Sequence, residues 1–184
     1  MPTHVIEKDP ADERSTLLAF LDAQRGGLRR AVLGLTEEQA ATRPSASELS
    51  LSGLLKHVIE TEQTWVRRAE GLPPAIARDE SNWGDSFRLL EGESVTGLLA
   101  HWAGVAAETE RFVHSVQSLE ETFALPEAPW FPPGERVSVR WVVLHLIEEI
   151  ARHAGHADVI RESLDGKTAF ELVAIEAEGR GGTA

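Results

Sequence analysis

Apolar residues recur at helical spacing in four long stretches of the chain, and no stretch shows the alternation that is typical of a β-strand. The predicted helices run from about Ala11 to Leu35, from Leu51 to Glu70, from Ser94 or Thr96 to about Gln117, and from Ser138 to Leu164. Segments containing Pro, Gly and Ser connect them at 41–50, 71–94 and 125–138. Four helices around one core predict an all-α four-helix bundle. The connection at 71–94 is long enough to cross the bundle, which leaves the helix order open.

The length of 184 residues favours a single domain, with the bundle at about 11–166 and a C-terminal tail at 167–184. A net charge of -12, without a cluster of Lys or Arg, argues against nucleic acid and anionic membrane surfaces as partners. The chain contains no cysteine, which excludes disulfides, thiolate metal ligands and a cysteine nucleophile. It has no apolar run of about 18 residues and no apolar leader at its start, so we expect a cytoplasmic protein.

Polar residues interrupt the apolar stripe of the fourth predicted helix. At about 100° per residue, one arc of about 80° on this helix holds His145, Glu149, His153 and His156, together with Val142 and Ile160. An ionised Glu149 in such a stripe is costly unless a cation compensates it. Side chains at i and i+4, such as Glu149 and His153, can converge on one ion. The pattern therefore predicts a divalent metal site.

A further ligand must come from another helix, because one helix face cannot enclose an ion. His57 meets this requirement, since it borders the apolar residues Leu54 and Val58 on the second helix. His, Glu and His with open positions for water are typical of a catalytic metal site. For Glu149 and His153 alone, a buried salt bridge is the alternative, and His57 and His156 favour the metal.

The remaining histidines are predicted to be structural or surface residues. We interpret His145 as packed or hydrogen-bonded, His101 and His114 as surface or core-edge residues, and His4 as part of a flexible terminus. Three tryptophans are predicted to be core anchors and not substrate platforms: Trp65, Trp102 and Trp141.

Two segments carry a resemblance to a known family: TRPSASELSLSGLLKHVIETEQTWV at 42–66 and VVLHLIEEIARHAGHADVIRESLDG at 142–166. Over about residues 11–166 the chain resembles the DinB-like superfamily of metal-binding four-helix bundles, in its actinobacterial branch. The resemblance implies an up-down-down-up bundle with a long crossover connection. It also implies a homodimer, since members of the superfamily are often dimers.

The resemblance further implies one divalent ion, zinc or nickel, held by His57, Glu149 and His153. Many relatives have His at the position of Glu149, whereas the mycothiol-dependent maleylpyruvate isomerases are similar to this chain in having Glu. His156 stands where relatives have Gln or His, which implies a role beside the ligands or facing the substrate. His145 has no clear counterpart in the family.

The chemistry implied by the resemblance is that of a metal-dependent enzyme acting with a low-molecular-weight thiol, mycothiol or bacillithiol, as an S-transferase or isomerase. One alternative is a metal-dependent hydrolase with His156 or Glu60 as base. The other is a non-enzymatic, stress-associated dimer that binds a metal or ligand. In each enzymatic case the partner is a small-molecule substrate selected by loops such as 71–94 and 126–137.

Overall fold

The structure, a computed structural model, describes residues 5, 6, 9 and 11–181, and the prediction for His4 lies outside them. Within these residues the α-helices are α1 (Glu13–Ala31), α2 (Glu37–Ala41), α3 (Leu51–Ala69), α4 (Val95–Ser115), α5 (Val139–Asp165) and α6 (Ala169–Gly181). A 3-10 helix spans Trp83–Phe87, and the strands are β1 (Thr122–Ala124) and β2 (Arg136–Ser138). The predicted all-α bundle is confirmed, with α1, α3, α4 and α5 as its long helices.

Serine side chains set the starts of three of the long helices. The hydroxyls of Ser50, Ser94 and Ser138 accept hydrogen bonds from the backbone N–H three residues on, which begins α3, α4 and α5. Gly166 ends α5 in the left-handed conformation with φ of 78°, which a residue with a Cβ adopts at a cost. The predicted helix starts at Leu51, Ser94 and Ser138 are therefore confirmed to within one residue.

An ion pair at one end and two hydrogen bonds at the other show that α1 and α5 run in the same direction. Arg140 at the start of α5 pairs with Glu13 at the start of α1 at 2.6 Å. Near the other ends, the buried Arg161 of α5 donates to the carbonyls of Ala31 and Leu33 at 2.8 and 2.9 Å. The guanidinium of Arg161 thus satisfies carbonyls that the end of α1 leaves without helical partners.

Contacts of α4 complete the helix order. Arg14 at the start of α1 donates to the carbonyl of His114 at the end of α4, so these two helices are antiparallel. Lys56, near the start of α3, pairs at 2.7 Å with Glu93, which comes just before α4, so α3 and α4 are parallel. The order is up-down-down-up, as the resemblance implied, and the connection at 71–94 crosses the length of the bundle.

The apolar side chains of the four long helices form one core. The buried set includes Leu21, Leu28, Leu54, Leu55, Val58, Val113, Val142, Leu146, Ile150 and Ile160. Each such side chain contributes about 1.5–3 kcal/mol through its removal from water.

The core also contains a polar network, in which the fully buried Glu62 accepts from Arg25, Trp102 and Thr109. These bonds occupy both carboxylate oxygens, which is how a buried charge is tolerated.

The connections hold more structure than the apolar pattern predicts. Thr36 and Gln39 form a capping box that begins the short helix α2. A three-residue antiparallel pair joins β1 to β2, and their length is too short for strand alternation to be recognised in the sequence. No helix among the described residues is both long and apolar enough to cross a bilayer.

Candidate metal centre

Two bundle helices bring His57, Glu149 and His153 together. Nε2 of His153 lies 3.1 Å from Oε1 of Glu149, and Nε2 of His57 lies 3.6 Å from the same oxygen. One ligand atom from each residue lies within 4.8 Å of those from the other two. The i,i+4 spacing on α5 presents Glu149 and His153 together, and the packing of α3 against α5 adds His57. The structure therefore contains a His-Glu-His group able to hold a metal ion.

Each histidine of this group is held through its other ring nitrogen. Nδ1 of His57 lies 3.1 Å from Oγ of Ser86, and Nδ1 of His153 lies 3.4 Å from Nδ1 of His156. These contacts turn both Nε2 atoms towards Glu149. Partners of this kind fix the orientation and the tautomer of metal-binding histidines.

The long connection between α3 and α4 closes the group on the His57 side. Its 3-10 helix supplies Ser86 and also Phe87, whose ring stacks on His57 with centroids 4.2 Å apart and planes 20° apart. The connection approaches α3 at Gly53, where a Cβ would lie 2.1 Å from the carbonyl oxygen of Phe87. Sequence reasoning missed Ser86 and Phe87. The available signal was Gly53 itself, because a glycine inside a helix costs about 1 kcal/mol relative to alanine and usually permits close packing.

Burial and charge at the group suit a divalent ion. His57 and His153 are 9% and 8% exposed, and the Glu149 side chain is 21% exposed. Hydrogen bonding to His153, followed by that to His57, lowers the pKa of Glu149 well below its usual range, although burial opposes this shift. Glu149 is therefore ionised at neutral pH. Two imidazole nitrogens and one carboxylate are ligands that zinc and nickel accept, so the residues present fit such an ion.

The two predicted bases lie in different surroundings. His156 is exposed beside His153, with ring centroids 5.5 Å apart, and so borders the group. Both carboxylate oxygens of Glu60 instead accept hydrogen bonds from Arg78, at 3.0 and 2.6 Å. Glu60 would have to leave this pair before it could accept a proton from a substrate. The catalytic roles of both residues remain predictions.

The other histidines that the structure describes lie apart from the group. His145 stacks on Trp141 at 4.9 Å and meets the edge of Trp65 at 5.0 Å, so it is packed as predicted. Burial lowers the pKa of His145, although Glu149 one turn away opposes the shift. His101 and His114 are exposed on α4, in agreement with the prediction of surface positions.

Comparison with models of protein families assigns the chain to a family. The model of the mycothiol-S-transferase family matches residues 16–166, which is most of the sequence and includes every residue of the His-Glu-His group. The chain belongs to the mycothiol-S-transferase family. As a member of the mycothiol-S-transferase family it is DinB-like, in agreement with the resemblance stated from the two sequence segments.

Comparison with solved structures supports the fold of this mycothiol-S-transferase family member. A crystal structure of a conserved protein from Enterococcus faecalis is similar to it with a TM-score of 0.67 and 15% sequence identity. The match covers 84% of this chain and 98% of that chain. At this identity the likeness concerns the fold alone. Comparison with curated proteins gives no significant match.

Proposed function

We propose that this protein is a metal-dependent enzyme that acts with a low-molecular-weight thiol, mycothiol, as an S-transferase or isomerase. The observation that carries the proposal is the convergence of His57, Glu149 and His153 within 4.8 Å in a chain of the mycothiol-S-transferase family. A homodimer is part of the proposal and rests on the resemblance alone, whereas the proposed cytoplasmic location rests on the sequence pattern.

In this proposal, His57, Glu149 and His153 hold one zinc or nickel ion and leave positions open for a substrate. A divalent ion supplies positive charge that lowers the pKa of a neighbouring thiol, so that thiolate is present at neutral pH. The ionised Glu149 offsets one of the two charges of the ion. Ser86 and His156 keep the two imidazoles oriented through their Nδ1 atoms.

The reacting sulfur has to belong to the substrate, because the chain contains no cysteine. Phe87 stacks on His57 and covers one face of its ring. The exposed imidazole of His156, next to His153, is the group we assign to take up the proton that the thiol releases, at its Nδ1 once the contact of that atom with Nδ1 of His153 opens.

The test combines metal analysis with product analysis. We expect about one divalent ion for each purified chain, and an S-conjugate when mycothiol and a small electrophile such as a bimane halide are added. His153→Ala should lose both the ion and the conjugate, since it removes one of three protein ligands. His114→Ala changes an exposed histidine on α4 and serves as the control.

Other outcomes separate the alternatives. A product that lacks the sulfur of the thiol would identify a hydrolase. One bound ion without turnover, combined with unfolding on chelation, would identify a protein whose ion is structural. Full metal content in both His57→Ala and His153→Ala at limiting metal would refute the site itself.

A further inference from the structure

The interface between α3 and α5 extends beyond the His-Glu-His group. His57 contacts His153, and eight residues further along α3 Trp65 contacts His145, which lies eight residues before His153 on α5. The two helices are therefore antiparallel and in register over this distance. At 1.5 Å per residue the second contact lies about 12 Å from the first.

Four aromatic side chains pack together at this second contact. The aromatic cluster consists of Trp65, Phe131, Trp141 and His145, in which Trp65 meets the other three rings with centroids 5.0–6.2 Å apart. All four side chains are half-buried, whereas Trp102 in the core is 2% exposed. The cluster packs against the edge of the core and presents part of its aromatic surface to solvent.

Arg68 lies over this cluster without an anion. Its guanidinium carbon is 5.4 Å from the centre of the Trp65 ring, and the side chain is half-buried. Among the described residues, the guanidinium has no hydrogen bond and no ion pair. Burial lowers the pKa of Arg68, and no neighbouring carboxylate counters that shift. Withdrawing a cation from water without an anion is unfavourable.

Other arginines of the protein have a carboxylate partner of the kind that Arg68 lacks among the described residues. Arg25, Arg78 and Arg161 each pair with a carboxylate, at 2.5, 2.6 and 2.9 Å. Arg29 also lies over a tryptophan, Trp102, at 5.9 Å, but it pairs with Asp22. Arg68 differs from all of them in lacking an anionic partner.

The position of Arg68 at the end of α3 does not account for its burial. A basic residue in the last turn favours the helix dipole and can bind the last carbonyls. Arg67 does reach a backbone carbonyl, that of Pro73, at 2.8 Å, whereas Arg68 makes no such bond. The free donors of a guanidinium stacked on a tryptophan are arranged to bind a carboxylate in a bidentate way.

We propose that Arg68 and the aromatic cluster bind the carboxylate and the flat apolar part of a substrate whose reacting end lies at the His-Glu-His group. Helical geometry places Arg68 within about 20° of His57 around α3 and about 16 Å along it, on the same face. A net charge of -12 makes the protein repel anions in general, so a local cation is needed to hold one. The reaction at the group rests on the proposed function above, whereas the binding of the carboxylate does not.

Calorimetric titration with 3-phenylpropanoate and its neutral amide tests this site. Both probes carry the same ring, so their difference reports the carboxylate. In chelator-treated protein we expect the acid to bind about tenfold or more tighter than the amide, as for charge-assisted hydrogen bonds to one guanidinium. Arg68→Met keeps an apolar side chain over Trp65 and should abolish this preference. Arg29→Met, at the other arginine–tryptophan contact, should retain it.

Two results would overturn the proposal: equal binding of acid and amide to the wild type, or an unchanged preference in Arg68→Met. The wild-type comparison decides even if the variant fails to fold, and Arg68→Lys, which keeps the charge but not the planar fork, should give an intermediate preference. Because the titration is done without metal, a failed thiol assay with an intact acid preference refutes only the proposed function. Loss of the acid preference with intact thiol transfer refutes only the carboxylate site.

Discussion

The hydroxyl of Ser86 lies 3.1 Å from Nδ1 of His57, and this contact joins the long connection at 71–94 to the candidate metal centre. The hydrogen bond at Nδ1 fixes the rotation of the His57 ring about its Cβ–Cγ bond and thereby directs Nε2 towards Glu149. Ser86 is 4% exposed, so water does not readily replace its hydroxyl. The metal affinity of the protein should therefore depend on Ser86, although Ser86 is not a metal ligand.

Ser86→Ala should weaken metal binding about 10–100-fold, the usual loss when the partner of a metal-binding histidine is removed. Competition with a fluorescent chelator measures the affinity. Ser163→Ala is the matched control, because among the described residues its exposed hydroxyl bonds only to the carbonyl of Val159 on its own helix. Equal affinity in Ser86→Ala and Ser163→Ala would show that the contact does not orient His57.

Glu149→Gln should weaken metal binding by well over tenfold, since it keeps the shape of the side chain and removes the charge that faces the ion. A ligand present at about 100 times its Kd stabilises the folded state by about 2.7 kcal/mol, and the variant should lose most of this gain. Thermal denaturation with and without chelator measures it. If the variant is destabilised equally in both conditions, Glu149 acts only as the ion-pair partner of His57 and His153.

His156→Ala and His153→Ala should differ in severity. His153→Ala removes a ligand and should abolish binding at limiting metal, whereas His156→Ala removes a neighbour at 3.4 Å and should reduce affinity about 10–100-fold. Metal content after dialysis against limiting zinc measures both. A loss in His156→Ala as complete as that in His153→Ala would make His156 a ligand.

Two aspartates on α5 should change stability in opposite directions with pH. The hydrogen bond from Arg161 lowers the pKa of Asp165 well below its usual range. A carboxylate with a lowered folded-state pKa stabilises the fold above its unfolded pKa of about 3.9 and loses this effect as pH falls towards the folded value. Asp165→Asn should therefore lower the melting temperature at pH 7, with a difference from wild type that shrinks at acidic pH.

Asp158 provides the opposite case, because burial raises its pKa. Its ionised form destabilises the fold at neutral pH, so Asp158→Asn should raise the melting temperature at pH 7 and have less effect near pH 3. Circular dichroism melts of both variants between pH 3 and pH 7 test the pair. A shift of the same sign in both variants at pH 7 would contradict the assignment.

The helical spacing of apolar residues predicted the bundle. It also identified His57, Glu149 and His153 as candidate ligands, because polar residues inside an apolar helix face need partners. Ser86 and Phe87 could not be found this way, since a connection has no periodicity that relates it to a helix face. Trp65 and Trp141 were predicted to be core anchors. They do pack against the core, but both stay partly exposed, and no pattern on α3 or α5 indicates that Phe131 of the 126–137 loop contacts Trp65.

At Gly53 the connection at 71–94 contacts α3 through its own backbone. The carbonyl oxygen of Phe87 lies 2.1 Å from where a Cβ would stand, so this close approach requires a glycine at position 53. Ser86 lies beside His57, whereas the stretch at 71–77 comes before the point where Arg78 pairs with Glu60. We expect that replacing this outer stretch changes which substrate binds and leaves the His-Glu-His group intact.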